Sequence, residues 1–137
     1  MGVISQVRTF AANMDAVPEM MGFVSGLCAG LPEQAVFDMT LACEEIFVNI
    51  ASYAYPDGEG ELTLRWSDDA EKRRLTLVFE DSGVPFDPLQ KEEPNLSVPF
   101  QERKIGGLGI MMVRQRMDCV RYAYRDGKNV LTIENGY

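Results

Sequence analysis

Three stretches of the chain combine residue types that can do chemistry. In LACEEIFVNIASYAY, residues 41–55, Glu45 and Asn49 stand four apart. On a helix that spacing projects a carboxylate and an amide oxygen side by side. In EDSGVPFDP, residues 80–88, Asp81 follows the strand-like LTLVF and precedes Gly83. Such an aspartate can point into a pocket as a fixed acceptor, with Gly83 letting the chain pass beneath a flat ligand and Phe86 flanking it. In KIGGLGIMMVRQRMD, residues 104–118, Gly106, Gly107, Leu108 and Gly109 open a helix-like run. Each glycine weakens a helical backbone by roughly 0.5–1 kcal/mol against alanine, so something should approach that main chain closely. Bare N–H groups at a helix start form an anion site reinforced by the helix dipole. Each stretch also has a plain structural reading: a solvated helix face, an ordinary turn with a core Phe, and a glycine hinge.

The elements that must carry these residues follow from pattern. Residues 3–10 read as a strand. Pro18 opens a helix through MMGFVSGLCAGL that Gly30 closes, with proline at the start and glycine past the end. From Glu33 to about Tyr53 the pattern is strongly helical, and YPDGEGE ends it. At ~100° per residue, Asp38, Glu45, Asn49 and Ser52 fall in one stripe, opposite Val36, Cys43, Ile46, Ile50 and Ala54. LTLRWSDD and RRLTLVFED read as a hairpin. Residues 84–105 hold four of the seven prolines and form a long irregular segment. A helix from about Gly107 to Met117 precedes a second hairpin turning at Asp126-Gly127. The expected class is α+β: a two-layer sandwich with a mostly antiparallel sheet and helices on one face.

At 137 residues the chain reads as one domain, residues 1–137, with an ordinary globular composition of 46% hydrophobic and 25% charged residues. No apolar run reaches the ~20 residues needed to cross a bilayer, and the start lacks a signal-peptide pattern. Cys28, Cys43 and Cys119 lie in apolar stretches and read as buried thiols of a cytoplasmic protein. A net charge of −8 argues against a nucleic-acid partner. The sequence holds no histidine, which removes histidine acid–base chemistry and the commonest metal ligand. GGLG is neither a Walker loop nor a Rossmann fingerprint, since no GK[ST] follows and no strand directly precedes it.

Taken in order, EEIFVN, EDSGVPFD and ERKIGGLGIMMVRQRMD resemble the N-box and the two glycine boxes of the GHKL (Bergerat) ATP-binding superfamily. Within it, nearly the whole chain is similar to the small anti-sigma-factor serine/threonine kinases of the anti-sigma-B and anti-sigma-F type. The resemblance implies ATP and Mg²⁺ as cofactors. Asp81 would accept the adenine amino group, supported by Gly83, and Asn49 would give its side-chain oxygen to Mg²⁺. Glu45 would be the catalytic base near the γ-phosphate. Gly106, Gly107, Leu108 and Gly109 would reach the phosphates, and residues 88–105 would form a lid carrying Arg103. Thr132 would touch adenine through its hydroxyl.

The partners implied are a sigma factor, a small antagonist phosphorylated on serine, and a second copy in a homodimer, with no direct nucleic acid and no membrane. The alternative is a nucleotide-gated module that sequesters a partner without phosphoryl transfer. A histidine-kinase fragment would need a phosphoacceptor histidine, and a gyrase-like enzyme a transducer domain. Two features depart from the family pattern: IASYAY after Asn49 lacks a histidine often found there, and Glu45 is preceded by a second acid, Glu44.

Overall fold

Leu62, Leu64 and Trp66 alternate with polar neighbours, Leu75, Leu77 and Phe79 alternate with Thr76, Val78 and Glu80, and all six are buried. A strand sends successive side chains to opposite faces, so these residues define one apolar face that needs a cover. The computed structural model describes residues 3–90 and 107–137, and in it that face belongs to a five-stranded antiparallel sheet. The strands are β1 (Val3–Ala11), β2 (Glu61–Asp69), β3 (Arg74–Asp81), β4 (Cys119–Arg125) and β5 (Lys128–Gly136), in spatial order β1-β2-β3-β5-β4. The helices are α1 (Val17–Leu27), α2 (Glu33–Tyr53) and α3 (Gly107–Arg116). This is the α+β arrangement expected from the pattern.

Local chemistry sets the boundaries. Pro18 sits in the first turn of α1, where its missing N–H costs nothing. Gly30 adopts φ +87° between α1 and α2, a conformation that glycine reaches without strain. Asp126 and Gly127, at φ 54° and 75°, form the tight turn that joins β4 to β5.

The long α2 supplies most of the cover through Met39, Ala42, Cys43, Ile46 and Phe47. Phe10 of β1 meets Phe47 edge-on at 6.1 Å and Phe23 of α1 at 5.8 Å, closing one end of the core. Ile110, Val113 and Met117 bring α3 onto the other end. Arg116 pairs with Asp38 at 3.0 Å and lies 5.2 Å over the Phe37 ring, so Asp38 ties α2 to α3. Cys28 and Cys43 are buried free thiols and Cys119 is half-buried. No helix among the described residues is long and apolar enough to cross a membrane.

Candidate active site

The inward face of β3 runs Leu75, Leu77, Phe79, and period-two alternation delivers Asp81 to that same face. An aspartate thereby ends up 5% exposed at the edge of an apolar core. It pairs across the sheet with Asn129 of β5, which is equally buried. Asn129 donates from its side-chain amide to Asp81 Oδ1 at 2.9 Å, and the Gly83 N–H donates to the same oxygen at 2.9 Å. Burial raises the Asp81 pKa, and these two hydrogen bonds partly offset the rise.

Asn49 arrives from the other layer. Positions 46 and 49 lie about 60° apart around a helix, so Asn49 stands at the margin of the buried face beside Ile46. The stripe reading placed it opposite that residue. Asn49 is 4% exposed, and among the described residues its amide nitrogen has no hydrogen-bond partner. A buried polar atom without a partner is costly and calls for a ligand or a function.

Asn49 and Asp81 line one cleft of about 400 Å³, part of it open to solvent. Ile46, Ile50 and Tyr53 of α2, Phe79 of β3, Phe86, Ile110 of α3, and Tyr122, Asn129 and Leu131 of the second hairpin complete it. Phe86 stacks on Tyr53 with ring centroids 5.6 Å apart and planes 23° apart. An apolar cleft with a few convergent polar groups is the usual form of a small-molecule site.

Glu45 lies one turn before Asn49 and is half-buried, whereas Glu44 is exposed. Burial, and then the neighbouring Glu44 carboxylate, push the Glu45 pKa above its ordinary value. A Cβ on Gly109 would collide with Glu45 Oε2, so the acid is pressed against the main chain of the first turn of α3.

The other expected residues are placed as follows. Gly83 does not line the cleft. A Cβ there would strike the Ala54 carbonyl at the end of α2, which Val84 N–H bonds at 2.8 Å, so glycine is needed for contact between protein segments. Gly107 and Leu108 open α3, whose contribution to the cleft is Ile110. Thr132 is not brought to the cleft. It pairs with Val78 and Arg121 on the face away from the helices, because Leu131 and Ile133 on either side of it point inward. Arg103, Gly106 and most of the 88–105 segment lie outside the described residues; its first residues, Pro88–Gln90, form a 3₁₀ turn. Asn129, Tyr122 and Tyr53 are cleft residues that motif reading missed. The turn at Asp126-Gly127 sets only the pairing of β4 with β5; the pairing of β5 with β3, which puts Asn129 opposite Asp81, had no signal in the sequence.

The donor set can be tested against Mg²⁺. Among the described residues no group of three or more acidic or cysteine side chains could enclose a metal. Mg²⁺ does not require one, since it takes few protein ligands and completes its shell with phosphate and water oxygens. Among the described residues no hydrogen bond from the Asn49 amide nitrogen fixes which way the amide faces. One amide oxygen in the cleft therefore suits such an ion.

An antiparallel sheet covered on one face by helices, with a polar-edged cleft at its end between α2, β3 and α3, defines a class of small-ligand-binding α+β domains. A histidine kinase-like ATPase domain model matches residues 10–134, and the chain belongs to that family. A serine/threonine-protein kinase, BtrW, of Bordetella bronchiseptica is 34% identical over 100 residues, 71% of this chain and 68% of the relative. A serine-protein kinase, RsbW, of Bacillus thuringiensis is 28% identical over 129 residues, 91% of this chain and 74% of the relative. The histidine kinase domain of the blue-light-activated histidine kinase EL346 of Erythrobacter litoralis shares the fold with a TM-score of 0.57. That likeness is at 13% identity and covers 89% of this chain and 59% of the longer one.

Proposed function

We propose that this chain is an ATP-dependent serine/threonine protein kinase that also acts as an anti-sigma factor. It would phosphorylate a serine of a small antagonist protein and bind a sigma factor in a different nucleotide state. The observation that carries the reading is the meeting of Asn49 and Asp81, remote in sequence and both buried, in a single cleft with Glu45 one helical turn away. The serine kinases among the relatives support the reaction class.

In this reading Asp81 accepts a hydrogen bond from the exocyclic amino group of adenine, and the aromatic pair Phe86 and Tyr53 walls the base. Asn49 would hold Mg²⁺ through its side-chain oxygen, and the ion would supply charge neutralisation at the phosphate oxygens. Glu45 accepts the proton of the incoming serine hydroxyl as that oxygen bonds to the γ-phosphorus. The bond from the γ-phosphorus to the bridging oxygen breaks, and ADP leaves. A base with a raised pKa is suited to this task near neutral pH. Positioning and charge stabilisation supply most of phosphoryl transfer, so few side chains are needed. Arg103 and Gly106 are assigned to the phosphates on resemblance alone.

The test is transfer of label from γ-labelled ATP and Mg²⁺ to the antagonist-type protein, comparing wild type, Glu45→Ala and Asn49→Ala. Glu45→Ala should keep nucleotide affinity and lose about 10²–10⁴-fold in rate. Asn49→Ala should lose the Mg²⁺-dependent part of the affinity. A wild-type protein that binds ATP yet labels no serine would refute the kinase assignment in favour of a nucleotide-gated binding module.

A further inference from the structure

Every hydrogen-bonding capacity of the Asn129 side chain is used. Its amide hydrogens go to Asp81 Oδ1 and to the Val84 carbonyl, both at 2.9 Å. Its oxygen accepts from the Phe86 N–H at 3.0 Å and from the Tyr122 hydroxyl. The Phe86 N–H can only donate and faces the oxygen, while the Val84 carbonyl and the Asp81 carboxylate can only accept and face the amide hydrogens, so a single orientation of the amide satisfies all three. That orientation fixes the carboxylate in turn. Asp81 Oδ1 receives two N–H groups, from Asn129 and Gly83, while Oδ2 accepts no hydrogen bond among the described residues. Asp81 also lines the cleft.

We propose that Asn129 is a positioning residue that sets base selectivity, holding Asp81 as an obligate acceptor so that the cleft takes a 6-amino purine and rejects a 6-oxo purine. The inference rests on the nucleotide reading above. A ligand that presents a carbonyl at this point would leave two acceptors face to face in a buried site, an arrangement that polar sites reject strongly. Asn129 does not touch the base in this scheme; it acts through Asp81 and through its hold on the 84–86 segment.

The experiment is calorimetric titration of wild type, Asn129→Asp and Tyr122→Phe with ADP and with inosine diphosphate, alongside thermal melting. Wild type should prefer ADP by roughly 10²-fold or more, as expected for a site built around one polar contact. Asn129→Asp keeps the shape but replaces the amide donor to Asp81 with a second carboxylate; the paired acids take up a proton more readily, and Asp81 protonated on Oδ2 is a donor to a carbonyl instead of an acceptor. The ADP preference should fall about tenfold or more, mainly through weaker ADP binding. Tyr122→Phe removes one of the two hydrogen bonds to the Asn129 oxygen, and should lower the preference by a smaller factor. It decides the matter if Asn129→Asp does not fold.

Loss of affinity for both diphosphates in parallel, with the ratio within about twofold of wild type, would make Asn129 structural only and overturn the inference. Equal wild-type affinity for ADP and inosine diphosphate would also overturn it, while leaving nucleotide binding in place. Wild type binding neither would instead remove the nucleotide reading on which the inference depends.

Discussion

Glu45 and Gly109 touch across two helices, and that contact separates catalysis from binding at the residue scale. Adding a methyl group at 109 meets the far end of a flexible carboxylate, which can turn aside at small energetic cost. Alanine also favours a helix by about 1 kcal/mol over glycine. Gly109→Ala should therefore melt no lower than wild type and bind ADP within a few-fold, yet transfer phosphate about 10–100-fold more slowly, because displacing a reacting group by an ångström is expensive. Steady-state kinetics beside calorimetry reads this directly; a parallel loss of affinity would show that the glycine serves the ligand instead.

Glu44 also belongs at this scale. It is exposed and contributes to raising the Glu45 pKa after burial. Glu44→Gln should shift the acidic limb of the rate profile to lower pH and leave the plateau rate unchanged. A lost plateau would mean that Glu44 shares the chemistry.

At the scale of elements, the site depends on the end of β3 being pinned to the end of α2. The Tyr55 hydroxyl donates to the Glu61 carbonyl at 2.6 Å and accepts from the Ser82 N–H at 2.8 Å, so one side chain clamps β2, β3 and the helix terminus. Tyr55→Phe should cost about 0.5–1.5 kcal/mol in denaturant unfolding, the net worth of a hydrogen bond whose partners water can reach. It should also weaken nucleotide binding through Asp81.

Periodicity made much of this layer legible. The bounds of α2, both hairpins and the inward pointing of Asp81 all follow from residue type and alternation. Two assignments did not. The stripe on α2 treated a 60° offset as an opposite face, because helical angles alone do not say how wide the buried arc is. The resemblance implies an adenine contact for Thr132, whereas strand parity sends 129 and 131 inward and 132 outward. Asn129 escaped notice because its importance lies in four partners that only the sheet register and the 84–86 segment bring together.

For the molecule as a whole, buried carboxylates and net charge act in one direction. Burial raises the pKa values of both Asp81 and Glu45, so the folded chain holds these protons more tightly than the unfolded chain. Stability from these groups is greatest below the ordinary carboxylate range and declines as pH rises through the window up to the raised values. Asp81→Asn removes one of the two titrations. It should flatten that part of the stability–pH curve and match or exceed wild type in melting temperature near neutral pH, while losing about 10–100-fold in ADP affinity. A net charge of −8 adds self-repulsion, which salt screens.

The collision at Gly109 has a consequence for which sequences can be selected. A randomised library screened for phosphoryl transfer should retain glycine at 109 beside the acid at 45, whereas one screened for nucleotide capture alone should accept side chains at 109, because the acid can turn aside without loss of binding. Lineages that abandon catalysis would be free to fill 109, so the residue found there is a cheap diagnostic of whether a homologous chain still carries out the reaction.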